Sequence, residues 1–314
     1  MHNMRIVFMG TPQFAVYALQ ALNESDNQVV GVVTSVDKPA GRGKKLRQSA
    51  VKEYAESKNL NLLQPQNLKD PGFIDELNEL EADVFVVVAF RMLPKIVWSL
   101  PKHGTFNLHA SLLPNYRGAA PINWAIINNE KETGVTTFFI DDKIDTGAIL
   151  LKETIQIDKN ETVGTLHDKL APLGASVILK TIDYIKSSPT PIPQTLNGNE
   201  KEAPKLNKEN TKIDWNYSLS KIDGLIRGLN PYPVAWMGIQ NGDETLKIKI
   251  FKAKILKEDP QKESGTIYIE DKNIKIAHKQ GVLVIEELQL PNKKRMESRA
   301  LLNGFSFKTG SKVL

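Results

Sequence analysis

The run Asp83-Val-Phe-Val-Val-Val-Ala-Phe90 constrains the fold more than any other stretch. It is apolar at odd and even positions alike, so a strand built from it must be covered on both faces. Such strands sit at the centre of parallel sheets with helices on either side. The elements before it agree. Arg5–Met9 is a short apolar run ending in Gly10-Thr11-Pro12, after which Phe14, Ala15, Ala18, Leu19 and Leu22 recur at helical spacing. Gln28–Thr34 reads as a second strand, Val51–Asn59 as a helix, Leu60–Gln64 as a short strand and Asp70–Glu81 as a helix. This alternation predicts a doubly wound, Rossmann-like α/β domain. The first turn lacks Gly-x-Gly-x-x-Gly, so a dinucleotide fingerprint is absent.

After the valine run come a loop and short helix, Arg91–Trp98, and then Gly104-Thr-Phe-Asn-Leu-His-Ala-Ser-Leu-Leu-Pro-Asn-Tyr-Arg-Gly118. Its first half alternates. Residues two apart share a face of a strand, so Phe106 and Leu108 enter a core while Asn107 and His109 point together to the other side. Pro114 then stops the ladder. An amide and an imidazole thus stand at the carboxyl end of a strand, where open α/β sheets bind ligands. Thr133–Ile140 reads as a further strand leading into Asp141-Asp-Lys-Ile-Asp145-Thr-Gly147. Asn107 and a protonated His109 can donate to an oxyanion, and Asp145 can orient the imidazole. The plainer reading is a structural histidine and a turn-forming aspartate. Ser111, two residues from His109, leaves a minor serine-hydrolase reading open.

The rest of the catalytic half is conventional. Ala119–Asn129 reads as a helix with Pro121 in its first turn, Ala148–Ile157 as a strand, and Thr162–Ser187 as a long amphipathic helix. Ser188–Lys208 has four prolines and little hydrophobicity, as a linker should. Ser218–Leu229 looks helical. The short runs Leu246–Ile255, Thr266–Ile269, Asn273–Ala277 and Val282–Leu290 suggest a small barrel of the oligonucleotide-binding type. The expected organisation is therefore a catalytic domain over 1–187, a linker over 188–208 and a barrel domain over 209–314. The tail Ser306–Leu314 reads either as a frayed end or as bringing Lys308 and Lys312 to a polyanion.

Charge is unevenly placed. Of 41 basic and 36 acidic residues, 18 and 13 fall after residue 208, leaving 23 of each before it. The excess of +5 thus lies wholly in the last third, as a basic solvated surface or as a surface for RNA. A second basic feature is the loop Asp37-Lys-Pro-Ala-Gly-Arg-Gly-Lys-Lys-Leu-Arg47. It has no hydrophobic face to bury, so mobility is expected. Its place after a strand's carboxyl end favours a phosphate-bearing ligand, with Gly41 and Gly43 allowing close approach and Arg42, Lys44 and Lys45 supplying charge. No cysteine is present and the five histidines are scattered, so no disulfide, thiol nucleophile or metal site is expected. No apolar run approaches a membrane span and the start shows no signal-peptide layout, so a cytoplasmic protein away from membranes is expected.

The motif Asn107-x-His109-x-Ser111-Leu-Leu-Pro114, with Tyr116-Arg-Gly118 and Asp145-Thr-Gly147, resembles the signature of the folate-dependent formyltransferases. Phe8–Pro12, Asp37–Leu46, Gly118–Ile122, Ile213–Trp215, Asn230–Pro233 and the segment Lys293–Gly304 extend the resemblance over nearly the whole chain, toward the branch acting on methionine carried by initiator tRNA. The resemblance implies 10-formyltetrahydrofolate as co-substrate and formyl donor, initiator methionyl-tRNA as acceptor, no metal, and a monomer. It places catalysis on Asn107, His109 and Asp145. It places the folate site on Val86, Val88, Phe90, Arg91, Met92, Leu93, Ser111, Leu112, Leu113, Pro114, Asp141 and Asp142. Contacts to tRNA fall on Arg42, Lys44 and Lys45 and on the basic C-terminal domain. Three positions depart from the family pattern: Ala89-Phe-Arg91 is shorter and lacks a glycine, Asn115 replaces a basic residue, and Lys143 stands where glycine is common. A formyltransferase for a small amine (a glycinamide ribonucleotide or an amino sugar), a hydrolase releasing formate, and a non-catalytic RNA-binding protein are the rival readings.

Overall fold

The computed structural model describes residues 3–40 and 45–314. The chain divides into two compact units. One comprises Met1–Pro121, Thr133–Ile155 and His167–Glu202; the other comprises Ile122–Glu132, Gln156–Leu166 and Ala203–Leu314.

The first unit is built on a seven-stranded sheet. Its strands are β1 (Arg5–Gly10), β2 (Gln28–Val33), β3 (Leu62–Leu63), β4 (Val84–Val88), β5 (Thr105–His109), β6 (Glu132–Phe139) and β7 (Ile149–Gln156), in spatial order β7-β6-β5-β4-β1-β2-β3. Pairing is parallel from β3 through β5, and β6 runs antiparallel to β5. The chain winds outward in one direction from β1 to β3 and in the other from β4 to β5. The crevice at that reversal is the place where such sheets bind ligands. All five residues of β4 are buried, as its unbroken apolar run requires.

Helices α1 (Gln13–Asn23), α2 (Ala50–Ser57), α3 (Pro71–Glu79), α4 (Lys95–Trp98), α5 (Pro121–Ile127) and α6 (Val163–Lys186) follow in chain order. The turn into α1 is tight: a Cβ on Gly10 would lie 2.7 Å from Ala15 Cβ and 3.0 Å from the Val88 carbonyl. Ser49 and Asp70 cap α2 and α3 by accepting from Lys52 and Phe73 N–H. On the core face of β5, Phe106 is fully buried.

The basic loop has a defined base. Lys38–Ala40 pairs with Lys45–Arg47 as a short antiparallel hairpin. Arg42 and Lys44 lie outside the described residues, and of Lys45 only the strand position is known. Asp37 at the foot accepts from Lys52 Nζ at 2.7 Å and from Gln64 Nε2 at 3.2 Å. The bond from Lys52, then that from Gln64, holds the Asp37 carboxyl below its ordinary range.

The expected linker differs from its description in the sequence. Over 188–202 it is tied to the first unit: Ile192 and Ile149 exchange N–H···O bonds of 2.8 Å, and Tyr116 N–H donates to Lys201 O at 2.5 Å. Asn115, one of the departures, accepts from Lys201 N–H at 3.0 Å. Proline and low hydrophobicity rule out a long ladder or an apolar face, yet isolated backbone bridges need neither.

The second unit is a nearly closed antiparallel barrel. Strands β8 (Ala235–Asn241), β9 (Glu244–Leu256), β10 (Ile267–Glu270), β11 (Asn273–His278), β12 (Gly281–Gln289) and β13 (Lys312–Val313) are ordered β10-β11-β12-β9-β8-β13. The tail is a closing strand and not a frayed end: β13 pairs with β8, while Ile267 N–H donates to Ser311 O and Val313 N–H to Gly265 O, both at 2.9 Å. Helix α7 (Leu219–Gly228), capped by Ser218, buries Leu219, Ile222, Leu225 and Ile226 in the barrel core. The first barrel strand, β8, was not among the expected runs; Gly238 interrupts its pattern.

Replacing Phe106 by alanine should cost about 3–5 kcal/mol, read as an earlier urea transition of the first unit. Because the Asp37 pKa is lowered, its tether contributes fully above the ordinary aspartate range and is lost as pH falls through the lowered value. Protection of the Lys38 and Ala40 amides from exchange, taken relative to the intrinsic rate at each pH, should therefore hold near neutrality, fall in acid, and fall at neutral pH in Lys52→Met.

Candidate active site

One row of side chains across three strands forms the floor of a cleft. Parallel pairing sets Val87 beside Asn107, and antiparallel pairing sets Phe138 beside Asn107 on the other side. All three line a cleft of about 310 Å³ within the first unit. Its walls come from Phe90–Leu93 after β4, Gly118 and Ala119, and the loop after β6 at Ile140, Asp141 and Lys143–Asp145. Met92 and Ile144 are 67% and 62% exposed there, an apolar rim open to a planar or aliphatic ligand. The Asn107 amide has no hydrogen-bond partner among the described residues.

His109 is one row further along β5, beside Thr136, and is buried. Its Nε2 lies 2.8 Å from the Tyr116 carbonyl. A carbonyl only accepts, so Nε2 carries the proton. That leaves Nδ1 facing Asp145 Oδ2 at 3.7 Å, too long for a hydrogen bond and short enough for an ion pair once Nδ1 is protonated. Asp145 is held from several sides. Its Oδ2 accepts from Gly118 N–H at 2.9 Å. Its backbone is left-handed, with φ 55°. A Cβ on Gly147 would fall 1.6 Å from Phe139 O, so only glycine lets the loop return against β6. Asp141 Oδ1 accepts from Lys143 N–H at 3.0 Å and from the Thr146 hydroxyl at 2.7 Å, closing the turn.

Gln194, inside the stretch the sequence marks as linker, completes the brace. Its Nε2 donates to Asp145 O at 3.0 Å and to Gly147 O at 2.8 Å. Its Oε1 accepts from Arg117 Nε at 3.2 Å and from the second Arg117 nitrogen at 2.6 Å. Sequence reasoning missed it; the one local signal is a polar side chain directly after Pro191-Ile-Pro193.

The structure thus brings Asn107, His109 and Asp145 together, with Phe90, Arg91, Met92, Leu93 and Asp141 at the same cleft. Other expected residues lie elsewhere. Val86 and Val88 are fully buried on the opposite face of β4; Val87 is the one beside Asn107. Ser111, Leu112, Leu113 and Pro114 do not line the cleft. Ser111 is buried with its hydroxyl donating to Asn115 O at 2.7 Å, which leaves no Ser–His nucleophile pair. Leu113 is buried with Phe138 and Ile149 beneath the site. Asp142 is exposed beside the lining. The Arg91 guanidinium is spent on the carbonyls of Pro65 and Gln66, at 2.5 and 2.9 Å. Ala89, at the first departure, has φ 48°. No grouping of metal-ligating side chains occurs among the described residues, and no described helix is long and apolar enough to cross a membrane.

This combination of a doubly wound sheet, a carboxyl-end cleft and a second-unit barrel has known counterparts. Residues 4–182 match the sequence model of the family described as formyl transferase, and residues 205–306 match that of its C-terminal domain, so the chain belongs to the formyl transferase family. A relative from Flavobacterium johnsoniae, 56% identical over the whole of both chains, is named methionyl-tRNA formyltransferase. Among solved structures, WlaRD, a sugar 3N-formyl transferase crystallised in the presence of dTDP and 5-N-formyl-THF, is similar at 25% identity and a TM-score of 0.65, covering 94% of this chain and 100% of that one. HypX from Aquifex aeolicus, in complex with tetrahydrofolic acid, shares the fold at 17% identity and a TM-score of 0.64, over 96% of this chain; this chain spans about half of HypX, 47% of its length.

Gln194→Ala should lower turnover by roughly 10- to 100-fold, the scale for misplacing a reacting group by about 1 Å, with little change in melting temperature or in KM for the donor. Gln194→Glu keeps the partner of Arg117 but loses the two donations, so steady-state kinetics should group it with alanine.

Proposed function

We propose that this protein transfers the formyl group of 10-formyltetrahydrofolate to the α-amino group of methionine on initiator methionyl-tRNA, yielding formyl-methionyl-tRNA for translation initiation. The relative at 56% identity over the full length carries that name, and the sugar formyltransferase of the same fold was crystallised with a formylated folate. The observation that carries the chemistry is the unspent Asn107 amide on the cleft floor, next to a carboxylate and a buried imidazole.

The geometry supports the following roles. Met92 and Ile144 offer apolar contact to the donor's ring, with Phe90, Leu93 and Asp141 around them. Asn107 donates to the formyl oxygen as it gains charge on attack by the amine. His109 reaches the same oxygen by exchanging its Nε2 donation from the Tyr116 carbonyl to the oxyanion, a stronger, charged acceptor. Asp145 holds the imidazolium through Nδ1 and accepts the amine proton, directly or through water; the tetrahedral adduct then collapses, the bond from the formyl carbon to N10 of the folate breaks, and N10 takes that proton as tetrahydrofolate leaves. Residues 1–187 carry this chemistry, with Gln194 of the 188–208 segment bracing the Asp145 loop, and the basic 209–314 hold the acceptor, together with Arg42, Lys44 and Lys45. The protein acts in the cytoplasm as a monomer.

Single-turnover formylation of methionyl-tRNA tests the reading. Asn107→Ala should cost on the order of 10²–10³ in rate, as for loss of one oxyanion donor, and His109→Ala at least as much. A His109→Ala variant with near-normal turnover would sink the site assignment. Donor consumption without formyl-methionyl-tRNA would move the acceptor to a small amine or water.

A further inference from the structure

In the reaction above His109 donates through Nε2, so the ring must carry a proton there. Two acceptors compete over where that proton sits. The Tyr116 carbonyl lies 2.8 Å from Nε2, and the Asp145 carboxylate lies 3.7 Å from Nδ1. A carboxylate is the stronger acceptor. The neutral ring therefore keeps its proton on Nε2 only while the carbonyl stays close and the carboxylate stays distant. Whatever holds the Tyr116 carbonyl governs the donor face of the imidazole.

That carbonyl belongs to a strained residue. Tyr116 has a left-handed backbone, φ 62°, which a bulky side chain keeps only where its neighbours over-determine it. Tyr116 N–H donates to Lys201 O at 2.5 Å, and Lys201 N–H donates to Asn115 Oδ1 at 3.0 Å. Lys201 thus exchanges both its backbone groups with two consecutive residues, as in an antiparallel ladder, except that one acceptor is a side chain. The Asn115 backbone is engaged inward: its N–H donates to Leu112 O at 3.2 Å, and its carbonyl accepts from the Ser111 hydroxyl at 2.7 Å. Lys201 follows a turn closed by its own bonds, in which the Glu200 carboxylate accepts from Asn197 N–H at 2.5 Å and from Gly198 N–H at 3.1 Å. The exposed Asn115 amide is therefore the clasp between two preformed turns.

We propose that Asn115 is a positioning residue: by gripping Lys201, its side-chain carbonyl fixes the Tyr116 carbonyl against His109 and keeps the imidazole proton on Nε2. Without the grip, Tyr116 relaxes, the Asp145 carboxylate draws the proton to Nδ1, and Nε2 turns a lone pair toward the oxyanion. For its effect on rate the inference rests on the formyl-transfer reading above, whereas the tautomer is a property of the free protein.

The test compares full-length Asn115→Ala, Asn115→Lys and Asn115→Asp with wild type and with Asn199→Ala, an exposed asparagine near Lys201. Turnover is measured at saturating donor and methionyl-tRNA, with KM for each. The tautomer is read from the imidazole nitrogen NMR shifts of the free protein, in buffer alkaline enough to make the ring neutral; the His109 signals are those lost in His109→Gln. Alanine and lysine offer no acceptor to Lys201. Both should lower turnover by about 3- to 10-fold, the scale of one hydrogen bond, with KM unchanged and a new population protonated at Nδ1. Aspartate keeps an acceptor oxygen and should restore rate and spectrum, and Asn199→Ala should match wild type. Either wild-type turnover or an unchanged His109 spectrum in Asn115→Ala would overturn the proposal. So would an Asn115→Asp variant as slow as alanine, or a raised KM for methionyl-tRNA at unchanged turnover, since Asn115 would then touch the acceptor instead of holding the clasp. A wild type that formylates a small amine in place of methionyl-tRNA would overturn the acceptor reading alone, because the spectra of the free variants still decide the clasp.

Discussion

A carboxylate beside a buried imidazole must be delivered by backbone, because a flexible side chain would swing away to water. Here Asp145 is fixed by one N–H from Gly118 on its carboxylate and by two donations from Gln194 on the carbonyls of Asp145 and Gly147. The loop closes against β6 only because residue 147 has no side chain. Three non-glycine residues near the cleft, Ala89, Tyr116 and Asp145, have left-handed backbones, at a cost on the order of 1–3 kcal/mol each. Tyr116 is one end of that strained set and supplies the carbonyl that fixes the His109 tautomer. The His109 tautomer and the Asp145 carboxylate position are thus set by neighbouring loops that brace one another.

Much of this was legible in the sequence, for identifiable reasons. Strict alternation over Phe106–His109 assigned Asn107 and His109 to one face before any pairing was known, and β5 bears this out. The valine run behaved differently. Without alternation it says that β4 is central but carries no phase, so Val86 and Val88 looked as eligible for the cleft as Val87. Only the register of Val87 with Asn107 decides. Gln194 was hidden for the opposite reason: a polar residue between prolines and a Gly-Asn turn has the composition of a solvated connection. Its role depends on carbonyls almost fifty positions earlier in the chain. The closing strand Lys312–Val313 is too short for any period to be read.

The two units use electrostatics in different ways. In the cleft the polar contacts are few and largely buried: one carbonyl 2.8 Å from His109, one N–H 2.9 Å from Asp145, and the imidazole facing that carboxylate at 3.7 Å. In a low-dielectric setting such groups act strongly on a reacting atom and weakly on anything remote. The cationic excess lies instead after residue 208. Exposed ammonium groups are screened within about 8 Å at physiological ionic strength, so charge on such a surface acts on what touches it. The chain keeps its compact polar site and its cationic excess apart in sequence.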